Sequence, residues 1–257
     1  MRLRALTVFR GLLSEPVVES LCTYLDCVEN DWSQGVVSAY AELVSRLYQT
    51  GGGDLGKHIL RVTTESENVY IRAIGRGETP PEYMARSVEA ELETLQEAAS
   101  LTPDRLRAGL DGVEYLPDFG TTAVALTEEY RRRVAEIGRY GYGMYASHHM
   151  FCLDDAGHIA PVRHPDSIAL EDLVGYERER GLVLDNLRAL LAGRSAANML
   201  LTGDAGTGKS STVKAACNTL RGEGLRIVEV RRDQLRHIPD LLLLISLKKK
   251  MVLIKKH

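Results

Sequence analysis

Residues 203–211 read Gly203, Asp204, Ala205, Gly206, Thr207, Gly208, Lys209, Ser210, Ser211, and their first eight positions satisfy G-x4-G-K-[ST] in full. No other stretch constrains the chain so strongly. Glycines let a loop turn back on itself so that successive backbone N–H groups aim at one anion, and a helix starting there adds its partial positive charge. Lys209 is then expected to reach the β- and γ-phosphates of a nucleotide, and Ser210 to ligate Mg2+. The flanks suit this reading. "NMLL" is a short apolar run before the loop, "KSSTVKAACNTLRGEG" places Val213, Cys217 and Leu220 at helical spacing, and "LRIVEV" is a β-branched strand. Strand, loop, helix, strand is a parallel α/β unit, and α/β is the fold class expected.

The chain carries its own control. "GGGDLGKH" at 51–58 also matches G-x4-G-K, but His58 replaces the hydroxyl and a helical pattern precedes it. It reads as a helix C-cap at Gly51 followed by a loop.

Upstream of the glycine loop the pattern is helical. "QGVVSAYAELVSRLYQT" sets Val36, Tyr40, Leu43 and Leu47 on one face, and "TPPEYMARSVEAELETLQEAAS" sets Met84, Val88, Leu92 and Leu95 on another, with Thr79 as cap and Pro80 and Pro81 in the first turn. Shorter helices are expected at 102–110 and 127–138, the latter with a solvated face at Arg131, Arg132 and Arg133. "YASHHMFCLDDAGHIAPVRH" reads as a β-hairpin turning at "DDAG". His148, His149, Cys152, His158 and His164 are zinc-ligand types, but they lack tight CxxC or HxxxH pairs and are read as ordinary strand residues. The expected domains are a helical region over 1–165, an incomplete α/β core over 166–242 and a Lys-rich tail over 243–257.

A formal charge of -3 gives no general electrostatic reason for a nucleic-acid or membrane partner. No apolar run is long enough to span a bilayer, Arg10 interrupts the N-terminal apolar stretch, and the four cysteines form no disulfide framework. A cytoplasmic protein with reduced thiols is expected.

Residues 170–242, "LEDLVGYERERGLVLDNLRALLAGRSAANMLLTGDAGTGKSSTVKAACNTLRGEGLRIVEVRRDQLRHIPDLL", resemble the AAA+ P-loop ATPases, and in particular a bacterial AAA+ family of unassigned function. The resemblance extends from about 140 to 242 and is weaker before 140. It implies ATP and Mg2+ as cofactors, a helical N-terminal region joined to an ATPase core, a macromolecular partner, and homo-oligomers in the complete form. It also implies that Val174, Gly175 and Tyr176 lie beside the adenine, with helix-end packing as the alternative reading. A P-loop kinase would begin with the same strand, loop and helix but would not need 171–198. A GTPase lacks support, since no Asn-Lys-x-Asp motif occurs.

The resemblance further implies a second apolar strand ending in two acids. That strand is expected at "MVLI" (251–254), where Lys255 and Lys256 follow. An ammonium cannot coordinate Mg2+ or accept a proton from water at neutral pH, so a hydrolytic centre is not expected. The first 247 residues hold 24 Arg and 3 Lys, the last ten 5 Lys and no Arg. The tail therefore reads as a frameshift or truncation beginning near Leu243, with a basic solvated tail as the alternative. An incomplete core would leave Met199 to Thr202 with unpaired backbone groups and an exposed apolar face. Two functions stay open: an ATP-binding AAA+-type protein unable to hydrolyse ATP itself, or a helical interaction module with a vestigial loop.

Overall fold

Glu15 starts the first long helix: its carboxylate accepts from the backbone N–H groups of Val17 and Val18, and Pro16 fills the first helical position, where no donor is needed. In the computed structural model, which describes residues 2–30, 33–108, 110, 115–204, 206–237 and 251–256, that helix belongs to the first of two units, Met1–Ala135 and Glu136–His257.

The first unit is helical: α1 (Pro16–Glu29), α2 (Ser33–Gln49), α3 (Leu55–Glu65), α4 (Val69–Gly75), α5 (Glu82–Ala99), α6 (Pro103–Arg107) and α7 (Leu126–Ala135). Both expected stripes face its core, with Val36, Tyr40, Leu43, Leu47, Val88, Leu92 and Leu95 buried and Met84 half-buried. Gly51 follows α2 at φ 80°. Helix α5 begins later than expected: Pro81 is its N-cap, and Thr79 caps nothing, because a residue preceding a proline is pushed out of the helical region and Pro80 is such a residue. Thr102 caps α6, and the pattern read as one helix over 127–138 is α7 followed by a separate turn. Arg131 pairs with Glu89, while Arg132 and Arg133 pair with Glu129, so the arginine run is an ion-paired face.

The second unit opens with the short helices α8 (Ile137–Tyr140) and α9 (Met144–Ser147) and the hairpin β1 (Met150–Leu153) and β2 (Ile159–Pro161), which are antiparallel. Helices α10 (Glu177–Leu191) and α11 (Lys209–Leu220) follow, then β3 (Arg226–Arg231) and β4 (Met251–Lys256). The sheet has the order β2-β1-β3-β4, with β1, β3 and β4 mutually parallel. Met150 and Ile227 meet Val183, Leu187, Ala216, Cys217 and Leu220 of α10 and α11 on one face. Phe151, Leu153, Val228 and Val230 meet Tyr145 on the other. The chain is thus mainly helical with a small mixed sheet, an α/β arrangement.

Two expectations meet a different outcome. The hairpin, assigned from sequence to the helical region, pairs with β3, so β1 lies in the same sheet as the strand that follows α11. The apolar run Met199 to Thr202 is not the strand expected before the loop; it carries no ladder, and Met199 and Leu200 are 43% and 84% exposed, which matches the expected unpaired backbone and exposed apolar face. An extended segment needs a neighbouring strand to satisfy its backbone, and among the described residues none lies beside it. The expected "MVLI" strand is present as β4, in register with β3 from Arg226↔Met251 to Arg231↔Lys256. The junction at 238–250, where the change of tail composition begins, lies outside the described residues. Among the described residues no helix is long and apolar enough to cross a membrane.

Candidate functional site

The glycine loop adopts the backbone that only glycine takes easily. Gly203, Gly206 and Gly208 have φ of 144°, 82° and 78°. Asp204 is exposed, and Ala205 lies outside the described residues. Gly208 is the N-cap of α11 and offers no side chain to its first turn, whereas α1, α3, α4 and α6 are each closed by a capping side chain. The first turn of α11 thus keeps donors for an external acceptor.

Lys209 turns back into the loop. Its Nζ donates to the carbonyls of Gly203 at 2.8 Å and Asp204 at 2.6 Å and to Thr207 Oγ1 at 3.2 Å. Thr207 Oγ1 in turn donates to the Asp204 carbonyl at 2.9 Å. These acceptors are neutral, so among the described residues no carboxylate neutralises the ammonium in the loop. Such a charge can exchange carbonyl oxygens for anionic ones at small reorganisation cost. Ser210 is exposed and Ser211 half-buried on the first turn of α11. Ser210, Val213 and Lys214 also line a cavity of about 410 Å³ against Ile227 and Glu229 of β3. Lys214 reaches Asp166 on its rim at 3.5 Å.

The other predicted element is the turn before α10. Val174 is 96% exposed and Tyr176 59% exposed. Tyr176 is the one non-glycine residue with positive φ among the described residues, at 60°, and follows Gly175 at 75°. Packing does not account for Val174 or Tyr176, because neither side chain is buried. Arg180 fastens the turn: Nη1 donates to the carbonyls of Leu170 at 2.9 Å and Leu173 at 2.7 Å, and Nη2 meets Glu177 at 3.2 Å.

The sequence control behaves differently. In 51–58, Asp54 caps α3 through Lys57 N at 2.9 Å, and a Cβ on Gly56 would lie 2.2 Å from the Thr122 carbonyl oxygen. That helix start is closed by its own acid and by packing. His58 is buried against Glu15 at 2.9 Å. Among the hairpin histidines, His149 contacts Asn218 and His158 contacts Asp154. Burial pushes the His149 pKa down, outweighing its hydrogen bond to Asn218. Among the described residues, no three His, Cys, Asp or Glu side chains group to hold a metal.

Motif reading missed Asn218, Arg180 and Asn186. Asn186 exchanges two 2.8 Å hydrogen bonds with the backbone of Ala197, ahead of the exposed 199–202 run. None of these residues belongs to a spacing pattern; each is identified only by the distant backbone it reaches.

No curated protein and no solved structure matches the chain. A family model described as Protein of unknown function (DUF815) matches residues 146–255, a span containing the hairpin, the 174–176 turn, the glycine loop and all but the last pair of the ladder of β3 and β4, so it is to this family that the second unit is similar.

Proposed function

We propose that the chain is an ATP-binding protein of the AAA+ type, with residues 203–211 as its phosphate loop. The observation that carries this reading is the Lys209 ammonium, held at 2.6 to 2.8 Å by the Gly203 and Asp204 carbonyls at the mouth of a helix without a side-chain cap. Backbone N–H groups of the loop and Lys209 would bind the phosphates. Ser210, exposed beside them, fits the role of Mg2+ ligand. Bound Mg2+ would supply charge neutralisation across the phosphates. Val174, Gly175 and Tyr176 offer an exposed apolar and aromatic turn for adenine.

Turnover is a separate matter. β4 ends in Lys255 and Lys256, ammonium-bearing residues where the AAA+ pattern has its acids. The chain therefore binds ATP and does not hydrolyse it by itself. Proteins of this type that carry the acid pair would couple the nucleotide to a macromolecular partner and form homo-oligomers.

Titration with ATP and Mg2+ tests the reading, with Lys209→Ala as control. Loss of charge-assisted hydrogen bonds costs roughly 1.5–3 kcal/mol, so the variant should bind about 10- to 100-fold more weakly. Equal affinity removes the loop from the reading.

A second reading, a helical interaction module with a vestigial loop, is favoured by one observation. Unit Met1–Ala135 has its own continuous core, running from Leu3 to Tyr130. Partner binding retained by residues 1–135 alone would favour it.

A further inference from the structure

Asn218 lies two turns into α11, on the face that carries Ser210 and Lys214. Its side chain is fully engaged: Nδ2 donates to the carbonyls of Asp166 at 2.8 Å and Ile168 at 2.9 Å, and Oδ1 accepts from His149 Nε2 at 3.0 Å. One turn nearer the loop, Lys214 holds the Asp166 carboxylate. Segment 166–168 is thereby strapped to the helix that begins with Lys209.

The strap leads into a 3-10 turn, Leu170–Asp172. There Asp172 accepts from Ala169 N at 2.8 Å, and Arg180 ties the Leu170 and Leu173 carbonyls to α10. Two helices thus fix a turn that ends in exposed Val174 and left-handed Tyr176. Ordering an exposed turn costs conformational entropy without gaining burial, and the left-handed φ disfavours a residue with a Cβ. A rigid aromatic ledge tied to the phosphate loop suits a ligand gripped at two separated points.

We propose that Asn218 is a positioning residue that sets the 174–176 turn relative to the glycine loop, and so makes the site prefer a nucleotide with a flat heteroaromatic base over bare polyphosphate. This rests on the nucleotide reading above. Asn218 contacts neither phosphate nor base; it acts through the 166–173 strap. Arg180 braces the same strap from the other helix.

The test uses the full chain and two ligands, ATP and inorganic tripolyphosphate, each with Mg2+. Asn218→Ala should weaken ATP about tenfold and leave tripolyphosphate unchanged, because only the second grip is loosened. Asn218→Asp keeps the acceptor for His149 but loses both donors, and should match Asn218→Ala. Affinities for both ligands falling together, or neither falling, overturns the proposal. If the wild-type chain binds neither ligand, the nucleotide reading itself has failed. Asn218 is then judged by amide exchange, which must accelerate over 169–176 in Asn218→Ala while α10 beyond Leu184 stays unchanged. Unchanged exchange over 169–176 overturns the positioning role.

Discussion

Gly208→Ala separates the shape of the glycine loop from its charge. Gly208 sits at φ 78° and ψ 13°, and a Cβ added there meets nothing within 4 Å. The substitution therefore introduces no clash, and its cost is the left-handed backbone alone, about 1–2 kcal/mol for a residue with a Cβ. The free variant relaxes away from that conformation, and the binding loop must recover it. ATP affinity should fall by about 5- to 30-fold. Gly203→Ala should lose more, because at φ 144° its Cβ also approaches Thr207 Oγ1 to 3.3 Å, and that hydroxyl both supports Lys209 and donates to Asp204. Gly52→Ala is the matched control: it lies in the rejected motif, its Cβ also meets nothing within 4 Å, and its φ is not positive. Calorimetric titration with ATP and Mg2+ reads the affinities, and a thermal melt of each variant reports folding. Gly208→Ala binding as tightly as wild type and Gly52→Ala would refute the reasoning, since the loop backbone would then be irrelevant to the ligand.

Three further outcomes test the first unit. Glu91 is buried and accepts from Thr7 N at 2.8 Å, Val8 N at 3.1 Å, Phe9 N at 2.9 Å and the Thr7 hydroxyl; Glu91→Ala removes these hydrogen bonds, strands the buried Phe9 donor and should cost about 1–3 kcal/mol in a denaturant melt. Gly56→Ala forces a Cβ to 2.2 Å from the Thr122 carbonyl oxygen and should destabilise by about 3 kcal/mol, with ATP affinity unchanged wherever the unit stays folded. Burial opposes ionisation of Glu15, but hydrogen bonds from His58 and from the backbone of Val18 and Val17 prevail and hold its pKa below the ordinary glutamate range. A lowered carboxylate pKa contributes stability above the unfolded value that is lost as pH falls through the folded one. Acid unfolding of the first unit should therefore steepen once pH falls below the ordinary glutamate range, and Glu15→Gln should flatten it; an identical acid profile would mean that Glu15 is not the group responsible.

The helical stripes were legible because burial on a helix repeats at fixed spacing, and Tyr40, Leu43 and Leu47 are buried as their periodicity requires. The hairpin was legible from its turn, where Asp154 Oδ1 accepts from Ala156 N and His158 N. The loop glycines were legible as residue types, and their three positive φ values supply the physical reason for those types. The exposure of Met199 to Thr202 was legible only from the strands expected around it, not from the run itself. An apolar run becomes a strand only when another strand pairs with it, and that is a property of distant sequence. The pairing of β1 with β3 was hidden for the same reason, since Phe151 and its partner Val228 are 77 positions apart in the linear order. Asn218 was illegible because asparagine in a helix carries no periodic signal, and its partners, two backbone carbonyls and the His149 ring, lie 50 to 69 positions away.

Amide exchange with and without ATP and Mg2+ tests the central claim most directly, because it reads the backbone donors said to bind phosphate. The account predicts slowed exchange over 206–211, with smaller protection at 174–176, both absent in Lys209→Ala. No change over 206–211 at ligand concentrations that saturate any binding, or the same protection in Lys209→Ala, would contradict it.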